Sequence, residues 1–520
     1  MFLDARSLHS DLPEMPDICI VGAGIAGLVL ARALAESGLS VWLLESGGKK
    51  VERRPQSLNE GRSNLGDYPF VSSRVRAFGG TSTRWTGACV ELDPGDFDAR
   101  DWVPHSGWPF GKEELDDHYA AARADFGISP VPHYDAHLAR SPLNGSDLEA
   151  RTVAYSAPLD IGRRYKKLVA ESRTVHCVLN ATVTELFLSA CGTRVARVAC
   201  ATPDGDSFEV TARAVVLASG GIENARLLLA SNATHIRGLG NIHDTLGRYH
   251  MEHPIKVVGV LPIGDRAGDL RDFTNRRVVN GTEVQGTFGL SRATRRRESL
   301  FDMHLRAYRY SALEDDPAII RGKRATAPEA SGARRQRDIA RDMLAALRPQ
   351  SAAYLGWHLR NKLCERASFD HVRFMAFVEQ EPDPENRIML ANDRDRFDKP
   401  LPHLSIRESE TMQRSVRLTM SLMEKALLAA GFGRLRHGDD ALAHLTAYDA
   451  YGLHQMGSTR MSDNPRHGVV DRNCRIHGLS NAFVAGSSVF PTGGASNPTW
   501  TIAALARRLA RHLEKEVPAL

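Results

Sequence analysis

No stretch of this 520-residue chain approaches the ~18 consecutive apolar residues that a membrane-spanning helix requires. The opening Met1-Phe-Leu-Asp-Ala-Arg6 passes directly into mixed polar sequence, so no secretory leader is expected either. Charge of one sign is also missing: 67 basic residues against 62 acidic ones leave a net +5, which excludes a nucleic-acid stripe or a polybasic membrane helix and favours a small, roughly neutral substrate. Cysteine is sparse. The seven residues, at positions 19, 89, 177, 191, 200, 364 and 474, are odd in number, scattered, and never spaced C-x-x-C, so neither a disulfide framework nor a zinc or other metal site is supported and a reducing cytoplasm is the expected location. What remains is an ordinary globular composition, 42% apolar, on a chain long enough for two lobes.

The informative segments lie at the two ends. Asp17-Ile-Cys-Ile-Val21 is a short apolar run that breaks into Gly22-Ala-Gly-Ile-Ala-Gly27, and Leu28 to Ser37 continues with helix formers at apolar spacing. Leu39 to Leu44 reads as a second buried strand ending in Glu45, at the distance from Gly22 where a dinucleotide fingerprint places a carboxylate for ribose hydroxyls. The strand before, the helix after and the acid beyond make this G-x-G-x-x-G far more specific than a lone match. Its glycines let backbone N–H groups approach a pyrophosphate at the positive end of the helix. Glutamate at the strand end disfavours a 2′-phosphate, so FAD or NAD is expected over NADP.

Residues 62 to 110 are loop-like and rich in Gly, Ser, Thr, Arg and Trp. Ala214-Val-Val-Leu-Ala-Ser-Gly-Gly221, followed by a helix opening at Glu223-Asn-Ala-Arg226, returns a further strand to the nucleotide sheet. From about 230 to 440 the β-like runs Ile255 to Leu261, Val372 to Val378 and Arg387 to Leu390 are consistent with an antiparallel sheet, and the charge-dense stretch Glu314 to Arg341 reads as a solvated face or cover. No internal repeat is evident.

These blocks, with Phe78-Gly-Gly-Thr-Ser-Thr-Arg-Trp-Thr-Gly87, Trp102-Val-Pro-His-Ser-Gly-Trp108, His454-Gln-Met-Gly-Ser-Thr-Arg-Met461 and Gly493-Gly-Ala-Ser-Asn-Pro-Thr499, resemble the glucose-methanol-choline (GMC) family of flavin-dependent alcohol oxidoreductases, nearest to its pyranose-oxidase-like and sugar or aminoglycoside dehydrogenase branch. The resemblance is strong at both ends and weak through 260 to 370. It implies an α/β (α+β overall) fold: a discontinuous Rossmann-type FAD-binding domain from 1–230 and 441–520, with 62–110 as flavin-contacting loops, and a substrate domain on an antiparallel sheet from 231–440. The implied FAD contacts are Gly22, Gly24, Ile25, Ala26 and Gly27, then Glu45 and Ser46, and in the following loop Gly79, Gly80, Thr81, Ser82, Trp85, Thr86 and Gly87. Val183, Ala218, Ser219, Gly220, Asn224, Gly486, Ser487, Asn497, Pro498 and Thr499 complete the set. Some relatives attach the flavin through a histidine where this chain has Arg84, so the FAD is expected to be non-covalent.

Oxidising an alcohol means taking the hydroxyl proton and passing the carbinol hydride to flavin N5, which calls for a base and a polar partner on one oxygen. The resemblance puts these roles on His454 and Asn497. Histidine suits the first, being largely neutral at pH 7. Asn497 has a rival explanation, because Asn497-Pro498-Thr499 before an apolar-periodic run also reads as N-cap and proline N1 of a helix. Asp471 and Gly486 are read as belonging to the strand returning to the flavin, and His253, in Met251-Glu-His-Pro254, as structural. The expected activity is FAD-dependent oxidation of a hydroxyl of a sugar, polyol or aminoglycoside to the carbonyl. A flavin-containing lyase of the hydroxynitrile type, an oxidase of aromatic or aliphatic alcohols and a non-enzymatic flavin scaffold are the alternatives. The electron acceptor, oxygen or another carrier, is open, and no nucleic-acid or membrane partner is expected.

Overall fold

The computed structural model describes residues 1–7, 15–66, 68–145, 147–157, 159–262, 270–310, 371–436 and 452–520. The stretch Glu314 to Arg341 lies outside them. Ile18–Val21, Val41–Leu44 and Ala214–Leu217 are runs of apolar residues buried at every position, as strands covered on both faces must be. They form the centre of a six-stranded parallel sheet in the order Phe2–Asp4, Val175–Leu179, Val41–Leu44, Ile18–Val21, Ala214–Leu217, Ala482–Val484. From Ile18–Val21 the chain builds outward first to one side and then to the other, so a crevice opens at the carboxyl ends of Ile18–Val21 and Ala214–Leu217, where ligands of such sheets bind. The strand that returns near the C-terminus is Ala482–Val484. Asp471 is not in it: its carboxylate accepts from the Asn473 and Arg475 amides and closes a turn upstream.

The second sheet is antiparallel, in the order Ile255–Pro262, His371–Val378, Met303–Tyr310, Thr282–Leu290, Leu148–Tyr155, Ala88–Cys89, with Arg277–Val279 paired to Thr282–Leu290. Two of its strands, Ala88–Cys89 and Leu148–Tyr155, come from before residue 230, so the chain passes between the two sheets early as well as late. Arg387–Leu390 is a strand but not of this sheet. It belongs to Arg387–Arg394, which pairs with Pro400–Ser405 and, through that strand, with Arg62–Ser63.

The last helix, Thr499–Glu516, ties the ends of the chain together. Trp500, Ala503, Ala504, Leu505, Leu509 and Leu513 are buried on the side facing Ile25–Leu34 and Glu113–Phe126, while Arg511, Glu514 and Lys515 are exposed on the other side. Asp125 pairs with Arg507 through two bonds of 2.6 and 2.7 Å, and Tyr119 meets Thr501 at 2.7 Å. The parallel sheet is thereby braced directly behind the start of this helix.

Candidate active site

A cavity of about 460 Å³ runs from the first glycine turn to His454 and Asn497. Gly22, Gly24, Ile25, Ala26, Glu45 and Ser46 line one end of it. Gly22 has φ +109°, and a Cβ there would lie 2.7 Å from the Ala218 carbonyl oxygen, so only glycine lets the two central strands approach at the turn. A Cβ on Gly24 or Gly220 would meet no protein atom within 4 Å: their Cα atoms face the open space of the cavity, the cradle a dinucleotide needs. Helix Ile25–Leu34 starts there without a side-chain cap, leaving its first amides for an anion. Glu45 is buried, accepts from the Ala23 amide at 3.0 Å and the Gly47 amide at 2.9 Å, and is held above the usual carboxylate range by desolvation against those bonds.

Gly80, Thr81, Ser82, Trp85 and Thr86 line the cavity along its flank, with Val183 on a neighbouring strand and Ala218, Ser219 and Gly220 opposite. Gly486, Ser487, Pro498 and Thr499 line the end beside the last helix. Four of the expected contacts stand behind the lining. A Cβ on Gly27 would lie 2.0 Å from the Gly22 carbonyl oxygen, so it seats the helix on the turn. Gly79 packs against Gly162 and Gly87 against Leu159. Asn224 accepts from the Ser219 amide at 2.8 Å and donates to the Ala485 carbonyl and Ser488 hydroxyl, fastening two cavity loops.

His454 and Asn497 line the cavity together. His454 Nε2 lies 3.1 Å from Asn497 Nδ2, and Arg306 Nη2 donates to Asn497 Oδ1 at 2.5 Å. Guanidinium has no acceptor, so the amide oxygen must face Arg306 and the amide N–H must face His454. Asn497 is not a helix cap. Pro498 takes the cap position, no side chain caps the helix, and the helix begins at Thr499, because the charged donor on Arg306 holds the oxygen that a cap would use. The uncapped end opens on the cavity. His253, expected to be structural, touches His454 directly, Nδ1 to Nδ1 at 2.8 Å. Phe377 stacks at 6.5 Å from the His454 ring and lies 4.4 Å under the Arg306 guanidinium. Desolvation first, then His253 and Arg306, holds His454 well below the ordinary histidine value.

Arg306 and Phe377 are not singled out by the sequence, and His253 is singled out there but read as structural. The one signal for Arg306 is alternation in Met303–Tyr310, where Met303, Leu305 and Ala307 fill one face and His304 and Arg306 point to the other, yet both are buried. The tryptophan-rich segment has a supporting part: the Gly107 amide and the Trp108 indole bond the Thr492 hydroxyl and carbonyl, at 2.9 and 3.2 Å, clamping the loop that carries Asn497.

A glycine cradle at a parallel-sheet switch point, joined by one cavity to a buried histidine and asparagine, fits a dinucleotide-dependent oxidoreductase. The family profile described as FAD dependent oxidoreductase matches residues 17–321, more than half of the chain, and the one described as GMC oxidoreductase matches residues 382–506. The chain belongs to the GMC family of FAD-dependent oxidoreductases, which act on alcohol groups. Similar curated proteins include the fructose dehydrogenase large subunit of Gluconobacter japonicus, 24% identical over 95% of this chain and 97% of that protein. Another is the 6‴-hydroxyparomomycin C oxidase of Streptomyces lividus, 22% identical over 97% and 92%. The paromamine 6′-oxidase of Streptomyces fradiae is 23% identical over 95% and 90%. Among solved structures, pyridoxine 4-oxidase from Mesorbium loti shares the fold with a TM-score of 0.58 at 16% identity, covering 96% of this chain and 99% of that one. Among the described residues no helix is long and apolar enough to cross a membrane, and the six described cysteines are free.

Proposed function

We propose that this enzyme oxidises a hydroxyl of a sugar, polyol or aminoglycoside to the carbonyl, with His454 Nε2 as the base. The observation that carries it is the 3.1 Å approach of His454 Nε2 to the Asn497 amide nitrogen at the end of the cavity. An alcohol oxygen that replaces this direct bond, lying against both groups, gives its proton to Nε2 and accepts from Asn497 Nδ2, which stabilises the negative charge that develops on that oxygen. Bound FAD supplies the two-electron acceptor for the carbinol hydrogen. The residues present fit it through the open glycine cradle, the uncapped start of Ile25–Leu34 and Glu45 at the ribose distance. The substrate class draws support from three relatives, whole-length matches named for fructose, hydroxyparomomycin and paromamine. Incubation with such compounds and an acceptor should yield products two hydrogens lighter. A consistent preference for long-chain aliphatic alcohols over every sugar tested would overturn the class, and release of cyanide from cyanohydrins with the flavin left oxidised would point to a lyase.

Three further results are expected. FAD should be released into the supernatant on acid precipitation, because Arg84 stands where a linking histidine would be and, among the described residues, the cavity lining contains no thiol, no phenol and no imidazole besides His454. Flavin remaining on the denatured chain would contradict this. Glu45→Ala should weaken FAD retention by ~1–3 kcal/mol, since donors it satisfies lose their acceptor, with flavin occupancy after dialysis as the measurement. The pH profile follows from the lowered His454 value. A base whose value is depressed stays deprotonated as pH falls, so the rate of flavin reduction should hold through pH 6.5 and decline only well below it. An acid limb centred at or above 6.5 would contradict the assignment.

A further inference from the structure

We propose that His253 is a positioning residue that fixes the His454 ring in the tautomer whose Nε2 carries the lone pair. The inference rests on the reading of His454 as the base and adds what makes it one. A backbone carbonyl only accepts, so His253 Nε2, 2.8 Å from the Gly494 oxygen, must carry a proton. A neutral imidazole has one N–H, which leaves His253 Nδ1 bare. That atom lies 2.8 Å from His454 Nδ1, which must therefore donate. The single proton of His454 is then on Nδ1, and Nε2 faces Asn497 without one.

The opposite end of the chain of bonds gives the same answer independently. Arg306 only donates, which turns the Asn497 amide so that its N–H meets Nε2. From Arg306 through Asn497, His454 and His253 to the Gly494 carbonyl, every bond runs donor to acceptor with no conflict, and the two fixed ends leave one proton arrangement. The geometry is rigid. His253 is fully buried, its ring meets His454 edge-on at 4.9 Å, its own carbonyl accepts from the Gly452 amide at 3.2 Å, and Met251 bridges Met456 just before it. The Gly494 carbonyl is held in place by a turn with φ +54°, where a Cβ would lie 2.2 Å from Asp96 Oδ2. The groups facing the pair are Arg306 on the His454 side and Glu252, Glu379, Asp302 and the buried His304 on the His253 side. Desolvation outweighs those acids and brings His253 to about 4, so both rings are neutral in the working range. Which nitrogen of a histidine is basic is set by the bond its other nitrogen makes.

The test uses holoenzyme labelled with ¹⁵N-histidine, the His454 signals being identified by their absence in His454→Gln. Wild type should show a protonated Nδ1 and a bare Nε2 on His454. His253→Leu leaves the Nδ1–H of His454 without an acceptor and Asn497 as the one remaining constraint, so the ring can turn away from the Asn497 amide: an Nε2-protonated fraction absent from the wild type should appear, and flavin reduction under anaerobic conditions should slow on the order of 10²-fold with KM and the flavin spectrum little changed. His253→Asn presents an oxygen near the position of Nδ1 and should restore both the tautomer and most of the rate. A proton on Nε2 in the wild type overturns the proposal whether or not His253→Leu folds. So does a His253→Leu enzyme that is slow with the tautomer unchanged, or one that reduces at the wild-type rate. If instead His454→Gln reduces at the wild-type rate, the base assignment fails while the tautomer result stands on its own spectrum.

Discussion

His454→Ala is expected to slow flavin reduction by ~10²–10⁴-fold, the usual contribution of a positioned general base. The flavin should stay bound and the protein folded, because the bonds that hold Glu45 and the turn at Gly22 are made without His454. Stopped-flow reduction without oxygen checks the rate, and the absorbance of the purified enzyme checks the cofactor. Reduction at the wild-type rate would mean that the base lies elsewhere.

Asn497→Asp is expected to be nearly as severe, ~10²–10³-fold, for a different reason. One carboxylate oxygen would pair with Arg306, where the amide oxygen now accepts. The other would face His454 Nε2 with no proton to give, so it is satisfied only if Nε2 itself carries one. The substitution thus favours a protonated His454 and fills the lone pair that catalysis requires, while adding negative charge where charge develops. Helix Thr499–Glu516 should be unaffected, since Asn497 does not cap it. Slowed reduction in a yellow enzyme of unchanged thermal stability is the expected outcome, and a wild-type rate would reduce Asn497 to a loop residue.

The nucleotide half of the site was legible because its signals are local. Ile18–Val21 is apolar at every position because both sheet faces are covered, and glycines 22, 24 and 27 answer steric needs within a few residues of themselves. The half around His454 and Asn497 depends on bonds across the sequence: Arg306 reaches Asn497 over 191 positions and His253 reaches His454 over 201. A cation inside an antiparallel strand has no local pattern that separates it from a surface residue. Asn497-Pro498-Thr499 misled for a physical reason, since a free asparagine would cap the helix but one held by a buried guanidinium cannot. Arg387–Leu390 was recognisable as a strand, but its sheet was set by a partner from near the N-terminus, Arg62–Ser63, reached through Pro400–Ser405.

The most direct test of the central claim is anaerobic mixing of purified wild-type holoenzyme with a panel of sugars, polyols and aminoglycosides while the flavin absorbance is followed. At least one member should bleach the oxidised band in a single turnover and appear as the corresponding carbonyl compound. A flavin band that stays oxidised with every member, or that persists while a substrate is consumed, would contradict an alcohol oxidation at His454 and Asn497.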